Sequence, residues 1–214
     1  MTEQPLTADT FQQALTGLIQ RDPDLEGIVI AAGEPPFSVR EPGFATLIQI
    51  ILEQQVSLAS GKAVFKRLQE RVNPLTPERF LSFDDHQLKG VGFSRQKLAY
   101  CRNVSRAIVQ GDLPIERLRE MDPEDIFHSL TAIKGIGPWT AETYMLLALA
   151  LPDVIPAGDM ALATAIMEIK SLPRLPSAKE IYLLSEPWKP WRSVATRLLW
   201  HYYLTTRNST ITNM

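Results

Sequence analysis

Residues 130–144 constrain this chain more than any other stretch. A helical pattern runs into Leu130-Thr131-Ala132-Ile133-Lys134, and another runs out through Trp139-Thr140-Ala141-Glu142-Thr143-Tyr144. Between them stands Gly135-Ile136-Gly137-Pro138. Such a turn is too tight for a Cβ at every position. Pro138 occupies a first helical position, where its missing N–H is not needed. The product is a short hairpin that aims backbone N–H groups outward from a helix N-terminus, a geometry that suits an anion such as phosphate. The same residues also describe a plain compact connection between helices, and by themselves they leave both readings open.

The flanking chain reads as more helices. Phe11, Leu15, Leu18 and Ile19 keep helical spacing over 7–20, and Asp22-Pro23 ends that segment. Ala31-Ala32-Gly33-Glu34-Pro35-Pro36 is a loop. Residues 44–55 form a strongly apolar helix, which Gln54-Gln55-Val56-Ser57 interrupts before a basic helix over 60–72. Thr76-Pro77 starts a short helix. Lys89-Gly90-Val91-Gly92-Phe93-Ser94 echoes the hairpin's turn chemistry, with Ser94 as a cap. A short helix follows Pro114, and Asp122-Pro123-Glu124-Asp125 starts the helix entering the hairpin. Further helices are predicted over 138–150, 160–169, 177–184 and 191–204, with a polar, frayed tail beyond Thr205. No strand pattern stands out, so the chain is predicted to be all-α, with roughly ten helices on short loops.

Composition narrows the chemistry. The 214 residues are 45% hydrophobic, enough for a substantial core, and net charge is −2. Contact with a polyanion must therefore come from a local patch or from backbone dipoles. Cys101 is the only cysteine, which excludes an intramolecular disulfide, a four-cysteine zinc site and a four-cysteine iron–sulfur cluster. His86, His128 and His201 show no metal-ligand spacing. No run approaches the roughly 20 apolar residues of a membrane span, and Met1-Thr2-Glu3-Gln4-Pro5 is not a signal peptide. An intracellular, non-secreted location (cytoplasm and nucleoid, or nucleus) is the expectation.

Three features could carry chemistry. Asp159 follows the hairpin by one helix and one loop; on local grounds it reads first as an N-cap of the next helix, and alternatively as a carboxylate facing a cleft. All four tryptophans, Trp139, Trp188, Trp191 and Trp200, lie in the C-terminal half with Tyr144, Tyr202 and Tyr203. Such rings either pack a core or stack nucleobases, at roughly 1–3 kcal/mol per base, more for a cationic base. Gln54-Gln55 breaks an apolar face and could reach into a duplex or cap the helix end.

Taken together, these segments resemble the helix-hairpin-helix DNA glycosylases, most nearly the 3-methyladenine DNA glycosylase II branch. The resemblance rests on Ile51-Leu52-Glu53-Gln54-Gln55-Val56-Ser57, Gly92-Phe93-Ser94 with Lys97, Lys134-Gly135-Ile136-Gly137-Pro138-Trp139-Thr140-Ala141, Asp159, and Trp188-Lys189-Pro190-Trp191-Arg192-Ser193. It implies two helical subdomains with a cleft between them and the hairpin at the cleft edge; the N-terminal β-domain of some relatives has no room before Phe44 and is not expected. The expected division is 43–151 for one subdomain, with 1–42 and 152–214 forming the other.

The resemblance also assigns roles. Asp159 matches the catalytic aspartate. Gly135, Gly137 and Thr140 match positions that hold the DNA phosphate. The carbonyls of Thr131, Ile133 and Gly135 match a site for a monovalent or other small cation, with no cofactor required. Gln55 falls at the wedge that fills the gap left by a flipped nucleotide, where some relatives use leucine. Trp139, Trp200 and Tyr144 match residues lining the base pocket, although Thr143 stands where some relatives carry a pocket tyrosine. Bifunctional relatives carry a lysine nucleophile where this chain has Trp139. The implied activity is monofunctional release of alkylated purines from double-stranded DNA, by a monomer, leaving an abasic site. The alternatives are a non-catalytic DNA-binding protein and a glycosylase for uracil, mismatched or deaminated bases.

Overall fold

The computed structural model describes residues 4–212, with side chains for residues 4–207. Among them every regular element is helical, so the chain is all-α. It divides into two compact units, Arg40–Leu149 and residues 4–39 with 150–212. These boundaries lie two or three residues from the sequence-based division, and hydrogen bonds account for the shift. The Arg40 N–H donates to the Leu147 carbonyl at 2.8 Å, while the Leu6 N–H donates to the Ala150 carbonyl at 2.8 Å.

The first unit is built on α3 (Phe44–Glu53). Leu47, Ile48, Ile50 and Ile51 give it a broad apolar face, and all four are fully enclosed. A face that wide is stable only when neighbouring helices cover it. Here α4 (Leu58–Arg71), α6 (Arg95–Gln110) and α8 (Pro138–Leu147) cover it. Each enclosed side chain contributes about 1.5–3 kcal/mol by leaving water, which outweighs the modest helix propensity of isoleucine. The crossing with α4 occurs at Gly61, where a Cβ would lie 2.8 Å from Glu53 Cγ and 3.0 Å from Glu53 Cα. α5 (Pro77–Ser82) packs on α6, and α7 (Pro123–Thr131) packs on α8. Ser57, Thr76 and Ser94 cap α4, α5 and α6 by accepting the N–H of Ser60, Arg79 and Lys97. The Ser57 cap starts α4 before the residue 60 read from the apolar pattern. The segment after Pro114 is a 3₁₀ helix, Ile115–Glu120.

The second unit joins both ends of the described chain. α1 (Ala8–Arg21) and α2 (Pro23–Ala32) pack with α9 (Met160–Ile169), α10 (Ala178–Leu184) and α11 (Arg192–Thr212) around Phe11, Leu18, Leu162, Ile166, Ile181 and Leu198. Asp22-Pro23, read in the sequence as the end of α1, is also the beginning of α2. The Asp22 carboxylate accepts the Asp24 N–H at 3.1 Å, and Pro23 stands in the first turn, where proline is tolerated. The tail does not fray at Thr205 as expected, since α11 continues to Thr212. Arg207 stacks 3.9 Å from the Tyr203 ring centroid and pairs with Glu168 at 2.8 Å. The Thr206 hydroxyl donates to the Tyr202 carbonyl.

A polar knot ties the two ends. Lys170 Nζ donates to both Asp22 oxygens, at 2.9 and 2.8 Å, and to Asp24 at 2.7 Å. The enclosed Trp188 donates its indole N–H to Asp22 at 2.8 Å. Burial pushes the Asp22 carboxyl up, but the hydrogen bonds from Lys170 and Trp188 outweigh it and hold the group below its ordinary 3.8.

Asp22→Asn is expected to cost about 1–3 kcal/mol of stability at neutral pH. Because the folded-state pKa is depressed, this contribution is present above the ordinary carboxylate value and lost as pH falls through the folded one. Thermal melts of both proteins from pH 3 to 7 should therefore converge at the acid end.

Candidate active site

The hairpin is closed by the Ile136 N–H donating to the Ile133 carbonyl at 3.0 Å, with the Ile136 side chain buried. Gly135 has φ +113, a region in which L side chains are strained. A Cβ there would also fall on the Tyr100 side chain, 2.6 Å from its Cβ. Gly137 differs. Its φ is −89, and a Cβ would meet open space. Only Gly135 is demanded by the turn; the bare, exposed Gly137 leaves room for a ligand to approach the start of α8. That helix start has Pro138 in its first turn and no side-chain cap.

Two amides from other helices hold the hairpin. Gln54, at the end of α3, donates from Nε2 to the Gly135 carbonyl at 3.2 Å and to the Thr140 hydroxyl at 2.8 Å. Asn103 of α6 donates to the Lys134 carbonyl at 3.0 Å. Tyr100, one turn earlier on the same face of α6, receives a hydrogen bond from Gln96 at 2.6 Å. None of these supports was assigned from sequence. The polar break at Gln54 was visible, but its partners lie 81 and 86 positions away. Lys97 of the same helix donates to the Leu52 carbonyl at 2.6 Å, and burial pulls its amine below the ordinary value. Burial likewise pushes the Cys101 thiol up to about 12, so it is no nucleophile at neutral pH.

The other predicted positions in this unit separate. Gln55 is exposed, with φ +55. Trp139 is partly exposed in the first turn of α8. The Thr140 side chain is buried and its hydroxyl serves Gln54. Tyr144 is a correction. It is fully buried, and its hydroxyl accepts the Gly43 N–H at 2.8 Å, so it packs the core instead of lining an open pocket. Burial raises its phenol to about 12. The apolar surroundings that attract a tyrosine ring here close off both its faces. Of the carbonyl set, Ile133 accepts Ile136 and Gly135 accepts Gln54; each carbonyl retains a second lone pair.

In the other unit, Asp159 is the N-cap of α9. Its Oδ1 accepts the Leu162 N–H at 2.7 Å and the Trp200 indole N–H at 3.0 Å. Both partners donate, as a carboxylate requires. The carboxylate is partly exposed, as is Trp200. Trp200 is positioned by α11, whose start is held by a bidentate pair: Arg192 Nε to Asp153 Oδ1 at 2.7 Å and a second Arg192 nitrogen to Oδ2 at 2.8 Å. Trp188 is core, and Trp191 packs against that core. Among the described residues no group of three or more His, Cys, Asp or Glu side chains could hold a metal ion.

A family model described as HhH-GPD superfamily base excision DNA repair protein matches residues 48–190. The DNA-3-methyladenine glycosylase 1 of Schizosaccharomyces pombe is 30% identical over 165 residues, which is 75% of this chain and 72% of that protein. The DNA-3-methyladenine glycosylase of Bacillus subtilis is 30% identical over 169 residues, 73% of this chain; the match spans 56% of that protein, little over half its length. Among solved structures, the Schizosaccharomyces pombe 3-methyladenine DNA glycosylase in complex with abasic DNA superposes with a TM-score of 0.82 at 27% identity, over 88% of this chain and 95% of that one.

Gly135→Ala is expected to lose about 2–4 kcal/mol of stability, from the left-handed backbone and from the clash with Tyr100. Gly137→Ala should stay within about 1 kcal/mol of the parent. Denaturant unfolding of the two variants checks the contrast.

Proposed function

The chain belongs to the HhH-GPD superfamily of base excision DNA repair proteins, and within it we propose a monofunctional DNA glycosylase that removes alkylated purines of the 3-methyladenine and 7-methylguanine type. The observation that carries the chemistry is the Asp159 carboxylate, held by a helix N-terminus and by the Trp200 indole. The substrate class is supported by the names of the relatives. Duplex DNA as partner is supported by the abasic-DNA complex of the structural neighbour. No described helix is long and apolar enough to cross a membrane.

A base inside a duplex is out of reach, so the target nucleotide is flipped out at a cost of a few kcal/mol, least for a damaged pair. The start of α8 at Gly137 grips the backbone phosphate through N–H groups and the helix dipole. Gln55, exposed on its strained turn, fills the vacated stack. An N3- or N7-alkylated purine is cationic, so an aromatic face such as that of Trp200 or Trp139 attracts it. It is also a good leaving group that needs no general acid. The bond between sugar C1′ and the base nitrogen breaks, the electron pair leaves with the base, and positive charge builds on the sugar. Asp159 stabilises that charge and orients the water that adds to C1′, and that water's proton passes to solvent. The products are free base and an abasic site. Trp139 stands where bifunctional relatives carry a lysine, so no strand cleavage follows. The carbonyls of Thr131, Ile133 and Gly135 are hard oxygen donors that would hold a monovalent or other small cation. When bound, such an ion would add positive charge beside the phosphate site. The protein acts as a monomer.

Duplexes carrying 3-methyladenine, 7-methylguanine, hypoxanthine or uracil separate the outcomes. Base release from the first two, with strand breaks only after alkali, is expected. Release from uracil alone, or breaks without alkali, would overturn the proposal. Asp159→Asn should slow single-turnover release at least 100-fold with the fold intact. Trp200→Phe keeps an aromatic face and removes one donor to Asp159. It should slow release about tenfold, with affinity for an abasic duplex within threefold of wild type.

A further inference from the structure

We propose that Gln54 is the positioning residue that sets the hairpin and the Gln55 turn as one DNA-gripping unit; the inference rests on the glycosylase reading above. A glutamine amide has two N–H donors, and Gln54 spends both on the hairpin, at the Gly135 carbonyl and the Thr140 hydroxyl. The next residue, Gln55, sits at φ +55. A non-glycine residue holds that conformation only when its surroundings over-determine it. The end of α3 supplies those surroundings. The Leu52 carbonyl is held by Lys97, and the Glu53 carboxylate by Arg40 at 3.1 Å and Gln49 at 2.9 Å. Gly61 lets α4 press directly against Glu53.

Three consecutive residues are thus tethered to five partners, and the fourth is exposed to solvent. A helix end that only needed capping would be satisfied by water at its carbonyls. The amide of Gln54 does something else. It fixes the distance between the exposed Gln55 side chain and the phosphate-facing start of α8. Gln54 directly precedes Gln55, and its partners Gly135 and Thr140 flank the start of α8, so no long pathway is invoked.

The test is a titration of a duplex carrying a tetrahydrofuran abasic analogue, at fixed salt, with active fractions measured. Gln54→Met keeps the length and removes both donors. Its Kd should rise about tenfold, while the single-turnover rate at saturating alkylated duplex falls by a smaller factor, about threefold. On a Gln55→Ala background the same substitution should change Kd less than twofold, because no wedge is left to position. A Kd within twofold of wild type, or losses from Gln54→Met and Gln55→Ala that multiply in full, overturns the inference. Should Gln54→Met not fold, Thr140→Val removes one of the two bonds from the α8 side. A threefold weaker Kd supports the coupling, and an unchanged one overturns it. Base release by wild type is scored separately. Its absence overturns the glycosylase reading, whereas the abasic titration still decides the role of Gln54.

Discussion

At φ +113, Gly135 turns the chain between α7 and α8 without a side chain to collide with Tyr100. Everything the hairpin offers depends on that one backbone conformation. It directs Ile136 into the core and leaves Gly137 and Pro138 on the surface. It also presents the carbonyls of Lys134 and Gly135 to Asn103 and Gln54. A helix end carries orphan carbonyls that must find partners, and leaving a buried one unmet costs about 1–3 kcal/mol. Supplying those partners from α3 and α6 makes the turn rigid. In the proposed function, a rigid turn keeps backbone N–H groups aligned on a phosphate without being reordered when one arrives.

The carboxylate of Asp159 caps α9, and the proposed charge-stabilising role is compatible with that cap. Capping α9 orients it, because the Leu162 N–H is fixed by the helix. Trp200 adds a second constraint from α11, which is in turn anchored through Arg192 and Asp153. A side chain held from two helices has little rotamer freedom left. Stabilising a developing positive charge asks for that kind of preorganisation. In the proposed function, the structural and chemical roles coincide in one carboxylate.

Much of the fold was legible because helices announce themselves locally. Apolar spacing, Ser and Thr caps and prolines in first turns located nearly every helix. The exceptions have physical causes. Asp22-Pro23 both ends one helix and begins another, and the pattern after it is too apolar on all sides to show a period. α11 outlasts its apolar stripe because Arg207, Tyr203 and Glu168 support it through stacking and charge. Tyr144 looked like a pocket residue by position, yet its hydroxyl is taken by Gly43, 101 positions earlier.

The sequence by itself determined what short-range geometry dictates: the helices, the glycine turn, and an aspartate at a helix start. It also excluded clustered cysteine chemistry. Only the tertiary structure decided which polar groups meet. Gln54 reaches Thr140 across 86 positions, and Trp200 reaches Asp159 across 41. Hydrogen bonds act over about 3 Å, and nothing in the local pattern of either segment encodes which distant donor packing will bring within that range.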